Sequence, residues 1–105
     1  MKVNIGKYLK NGKRRETVEI DRSDTYSLYY TLALLITPCL KEFISFKKGY
    51  PSGISSEEWD LILNKMLWSF QEILKDEPTD FDEKYCEKIQ EGLDLFGKWY
   101  LHLWW

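Results

Sequence analysis

The sequence is poor in the residues that carry out chemistry. It has one histidine, His102, and two cysteines, Cys39 and Cys86, widely separated along the chain. Two distant thiols and one imidazole cannot build a tetrahedral metal centre, which needs four ligands at close spacing. No glycine-rich phosphate loop, dinucleotide fingerprint or Ser-His-Asp order is present. The acidic run from Asp76 to Glu83 lacks the glycine and the ligand spacing of a calcium loop. Carboxylates are paired at Glu57-Glu58 and at Asp82-Glu83, but both pairs fall in the first turns of expected helices, where the helix dipole accounts for them. His102 lies among Tyr100, Leu101, Leu103 and Trp104, the company of a packed or surface residue rather than of a base. These absences predict a protein that is not an enzyme and holds neither metal nor other cofactor.

A dominant charge is missing too. The net charge is −2, which selects no class of partner by itself. Its distribution says more: Lys2, Lys7, Lys10, Lys13, Arg14 and Arg15 open the chain with no acid among them, and Asp76 to Glu87 forms an acidic counterpart. No long hydrophobic run exists either. The uncharged stretch from Leu28 to Leu40 is shorter than the roughly 20 residues needed to span a bilayer, and Lys41 and Glu42 follow it. The opening MKVNIGKYLKNGK has no apolar segment of the kind found in secretion signals. The expectation is an intracellular protein without a membrane partner, in which Cys39 and Cys86 are buried reduced thiols.

What the chain does have is apolar and aromatic mass. Hydrophobic residues make up 44% and aromatic ones 16%, including five Trp and seven Tyr. A single domain, residues 1–105, can bury about two-thirds of the surface its unfolded chain exposes, so no disulfide is required. The stretch Leu28–Phe46 is apolar on two adjoining faces. Leu28, Leu32, Leu35, Cys39, Phe43 and Phe46 form one; Tyr29, Ala33, Ile36, Leu40 and Ile44 form the other. Such a helix is expected at the centre of its fold.

Before it, Val3 and Ile5 alternate with polar residues, Asn11-Gly12 offers a type I′ turn, and Thr17 to Ile20 supply a returning strand. The pattern predicts a hairpin within 2–21, pairing roughly 2–8 with 14–21. Its Val3, Ile5, Val18 and Ile20 face should lie on the helices, because a lone two-stranded ribbon is marginal in water. Capping candidates at 21–25 and the stop signal Lys47-Lys48-Gly49 bound a first helix at about 25–48. Pro38 lies inside it and should kink or break it near Ile36–Thr37. A second helix at about 56–75 opens on the capping box Ser55 to Glu58 and carries the stripe Trp59, Ile62, Leu63, Met66, Phe70, Ile73 and Leu74. A third, at about 80–104 and capped by Thr79 or Asp80, carries Phe81, Tyr85, Ile89, Leu93, Phe96, Tyr100 and Leu103. The fold class is α+β, mainly α: a hairpin packed on a three-helix bundle whose kinked first helix is central.

Candidate binding residues follow from chemistry rather than from a motif. Arg14 or Arg15 could hold a phosphate while Tyr26, Tyr29, Tyr30 or Trp59 stacks on a base. Nucleic acid is disfavoured, because a weakly acidic chain has a small electrostatic footprint. Gly92 and Gly97 each cost about 1 kcal/mol in a helix, which implies close approach of another backbone, from the first helix or a second subunit. Trp104 and Trp105 need burial against this protein or another. These four residues are the expected interface of a homo-oligomer.

Four stretches, KVNIGKY at 2–8, DTYSLYYTLALLITPCL at 24–40, WDLILNKMLWSFQEIL at 59–74 and KIQEGLDLFGKWYLHLW at 88–104, resemble a family of small proteins of unassigned function encoded by tailed bacteriophages. That family often has a histidine near Tyr29 or Tyr30 and a longer insertion between the first two helices. This sequence has neither. The resemblance carries over no functional residue. It implies a viral accessory protein in the host bacterial cytoplasm, where short non-enzymatic proteins counter host defence by occluding a host protein or sequestering a signalling nucleotide. A virion or assembly component and a weak nucleic-acid-binding accessory are the alternative roles.

Overall fold

In the computed structural model, which describes residues 1–75 and 82–104, the chain forms a two-stranded antiparallel hairpin followed by three helices. Strands β1 (Lys2–Ile5) and β2 (Glu16–Glu19) pair with Val3 opposite Val18 and Asn4 opposite Thr17. Helices α1 (Leu28–Phe46), α2 (Ser56–Ile73) and α3 (Glu83–Trp99) follow, with a short 3₁₀ turn before α1 and another, Tyr100–His102, after α3. The α+β, mainly α reading of the sequence is the observed architecture.

The second helix begins as its sequence dictates. The Ser55 hydroxyl accepts from the Glu58 backbone N–H at 3.0 Å, satisfying one of the orphan donors of the first turn. Trp59, Leu63, Met66 and Phe70 then recur at spacings of three and four, and all four are buried. Trp59 meets Trp99 of α3 edge to face with ring centroids 5.6 Å apart, and Phe70 meets Phe96 in the same manner at 5.0 Å. Rings in this geometry contribute about 0.5–1.5 kcal/mol beyond their buried area.

The central helix is therefore α2 and not α1. Helix α2 packs on both α1 and α3, and those two do not pack on each other. Only Ala33 and Leu40 of α1 are buried, with Ile36, Phe43 and Ile44 half-buried beside them. They belong to one side of α1, the side turned to α2. The small Ala33 lets the helices approach; the bulkier stripe of Leu28, Leu32 and Leu35 points away. The helix also starts later than its capping candidates suggest. Asp21 caps the 3₁₀ turn Arg22–Thr25, accepting from Ser23 N–H at 2.9 Å while Asp24 reaches back to Asp21 N–H at 2.8 Å. Pro38 lies within α1, which runs through it without a break. Helix α3 is capped by Asp82, whose side chain accepts from the Lys84 N–H. The caps expected at Thr79 and Asp80 lie outside the described residues, as does Phe81.

The hairpin differs from expectation in two ways. Its turn is not the two-residue type I′ form: Gly12 has φ +79° but Asn11 stays at negative φ, whereas that turn needs both positive. Instead the connection from Gly6 to Arg15 closes through Gly6 N–H to Arg15 O at 2.8 Å, Leu9 N–H to Lys13 O at 2.6 Å and Gly12 N–H to Leu9 O at 2.9 Å. The hairpin also does not lie on the helices. Val3, Ile5, Val18 and Ile20 are all exposed, and neither strand packs against a helix. An ion pair from the Met1 amine to Asp24 at 2.8 Å ties its base to the 3₁₀ turn. That amine, and then the Asp21 N–H, hold the Asp24 carboxyl below the usual carboxylate range.

The outcome is an extended molecule. It measures 50 × 42 × 19 Å with a radius of gyration of 15.8 Å, where a compact domain of this length has about 13 Å.

Candidate binding surface

The residues proposed for a ligand are not gathered into one site. Trp59 is 1% exposed and locked against Trp99, so it is a core residue and cannot stack on a base. Arg14 is engaged within the hairpin: its guanidinium lies over the Tyr8 ring at 4.5 Å and its Nε is 3.5 Å from Glu16 Oε1. Arg15 contributes its backbone carbonyl to the hairpin connection. Tyr26, 80% exposed, stands with the exposed Tyr29 and Tyr30 on the approach to α1 and in its first turn.

The residues proposed for an oligomer interface divide. Gly92 is the buried glycine of α3, and the backbone it admits is that of α2 in the same chain. A methyl group there would lie 2.5 Å from the Lys65 carbonyl oxygen and 2.7 Å from Ser69 Cβ. Its role is intramolecular. Gly97 faces open space. Trp104 is 76% exposed, and Trp105 lies outside the described residues. Both cysteines, expected to be buried, are exposed and free. His102 stacks edge-on against Trp99 at 5.3 Å, and among the described residues no group of three or more His, Cys, Asp or Glu side chains could hold a metal ion. No helix there is long and apolar enough to cross a membrane.

Among the described residues, two stretches of uncovered apolar surface stand out besides the exposed Tyr100, Leu101 and Trp104 near the C-terminus. The first is the hairpin, whose apolar face has no helix beneath it. The second is the outer side of α1. Leu28, Leu32, Leu35, Cys39 and Phe46 all lie exposed along it. Beside this stripe is an apolar groove of about 340 Å³, walled by α1 from Leu35 to Phe43 and, across from it, by Phe96 and Leu103. A second depression, at Pro38, Cys39, Glu42, Phe43 and Phe46, continues it toward the end of α1.

The groove residues were not among the sequence candidates. The signal was there: a helix with two full apolar stripes has one more than a single neighbour can cover.

No protein-family model matches the chain, and no curated protein or solved structure is significantly similar to it.

Proposed function

We propose that the chain is a non-catalytic binding protein that acts by covering a surface of another protein. The observation that supports this reading is the N-terminal hairpin. Its apolar residues Val3, Ile5, Val18 and Ile20 stay exposed, Val18 by 57%, on a ribbon too small to be stable by its own pairing. Both outer edges carry unpaired backbone groups, the template for adding an extended strand of a partner. The hairpin and its connection carry Lys2, Lys7, Lys10, Lys13, Arg14 and Arg15 against Glu16 and Glu19 of β2, an excess of positive charge that favours a protein partner with an acidic surface and an accessible strand. Tyr26 and Tyr29 extend the surface with rings that gain contact area at low entropy cost.

The resemblance to small phage proteins suggests the setting: an infected bacterium, where such a binder would block a host defence protein. A nucleotide-sequestering action has less support, since Trp59 is withdrawn into the core and Arg14 is paired within the hairpin.

The test is retention of a host protein on the tagged chain, compared with the Val3→Asp/Val18→Asp variant. One host protein held in stoichiometric amount, released by salt and not retained by the variant, is the expected result. Calorimetry against linear and cyclic nucleotides is the opposing arm. Saturable nucleotide binding abolished by Arg14→Ala/Arg15→Ala, with no host protein retained, would replace this reading.

A further inference from the structure

We infer that the outer stripe of α1 is the seam of a homodimer, occupied by the same stripe of a second copy of the chain. The inference does not depend on what the hairpin binds. Leu28, Leu32, Leu35, Cys39 and Phe46 follow one another at intervals of four, three, four and seven, the spacing of a coiled-coil a/d seam. In a soluble monomer such a row faces the protein's own core. Here it faces solvent, with Leu32 44% exposed, because α2 takes the other side of α1.

The area deficit has the right size for this occupant. A compact monomer of 12.6 kDa exposes about 6,200 Å². This chain exposes 8498 Å², an excess of about 2,300 Å² over that expectation. A standard stable interface takes about 800 Å² from each partner and obligate dimers take more. One dimer contact along α1 fits within the excess and leaves area at the hairpin. Isolated apolar patches on monomers rarely exceed a few hundred Å².

Chemistry favours a second copy over a charged or polar ligand. Glu42, at the seam position between Cys39 and Phe46, is the one charge the row meets, and the adjoining groove between Cys39 and Phe96 is lined by apolar residues. A two-fold axis makes such a surface its own complement, each stripe serving as the other's missing face. The groove beside the stripe gives the incoming helix a place to seat, as in other helix-in-groove contacts.

The axis would pass near the middle of α1, close to Cys39, and this supplies the test. In a Cys86→Ser background Cys39 is the sole thiol. A short bismaleimide should then link two chains into a covalent dimer in high yield. Leu32→Glu/Leu35→Glu in the same background should abolish the product; since both leucines are exposed, circular dichroism should show an intact helical fold. A chain that forms no covalent dimer, or one whose yield is unchanged by the two glutamates, would overturn the proposal. Trp104→Ala is the control at the other candidate face, and it should leave the yield unaltered. Loss of the dimer in that variant alone would assign the interface to the C-terminus and overturn it too.

Discussion

Gly92 and Ser69 lie so close, where α3 crosses α2, that a methyl group on Gly92 would run into the Ser69 side chain and the Lys65 carbonyl behind it. This crossing sets the distance between the two helices that share the largest contact in the fold. Gly92→Ala should therefore destabilise the protein by about 1–3 kcal/mol, the usual cost of overpacking. Gly97 is the matched control, having nothing within reach of an added methyl. Gly97→Ala should stabilise by up to about 1 kcal/mol through helix propensity. Denaturant midpoints of the two variants, compared at constant slope, measure both effects.

Ser69 is fully buried and its hydroxyl has no hydrogen-bond partner. An unsatisfied buried hydroxyl costs about 1–3 kcal/mol. Ser69→Ala removes that cost and also relaxes the crowding under Gly92. The expected outcome is a denaturation midpoint equal to or above that of the unaltered chain, an unusual result for a fully buried position.

Trp59 should behave as a core residue. Trp59→Ala empties the contact with Trp99 at the centre of the helices and should cost about 3–5 kcal/mol. Tyr26→Ala, at an exposed position of the same proposed ligand set, should stay within about 0.5 kcal/mol of the unaltered chain. Thermal melts of the two variants separate a structural role from a binding one.

Tyr85 makes one contribution to stability that depends on pH in the alkaline range. Its hydroxyl donates to Glu72 Oε1 at 3.3 Å, and its ring meets Trp68 edge to face. Partial burial, and then the Glu72 carboxylate, push the phenol above its ordinary value. A folded pKa above the unfolded one means that the neutral phenol supports the fold. That contribution is whole below about pH 10, the unfolded value, and is lost as pH rises through the folded value. Tyr85→Phe should remove this alkaline fall in stability, as read from denaturation midpoints across the range.

Much of the fold is legible in the sequence, and the reasons differ by element. Helix α2 is largely specified locally: Ser55 caps it, and Trp59, Leu63, Met66 and Phe70 mark the stripe that becomes its buried face, which also takes in the polar Ser69. Helix α1 is read correctly as a helix and wrongly as the centre. Hydrophobicity marks both of its stripes equally, and only the small Ala33 hints at which one a neighbour approaches. The hairpin shows the same limit: alternation says which face is apolar, not what covers it. Gly92 signals a close approach, but its partner is fixed by a tertiary crossing that spacing cannot name. Of the candidate site residues, Tyr26, Tyr29 and Tyr30 are exposed as a binding role requires, while Trp59 serves packing. The apolar groove is missed because its walls come from segments far apart in the sequence, Leu35 to Phe43 on one side and Phe96 and Leu103 on the other.

The mass of the chain in solution tests most directly whether the uncovered α1 stripe is an interface. Sedimentation equilibrium on the unaltered protein should give twice 12.6 kDa, falling to 12.6 kDa for the folded Leu32→Glu/Leu35→Glu variant. A mass of 12.6 kDa for the unaltered chain at high micromolar concentration, with its helical signal intact, would contradict it.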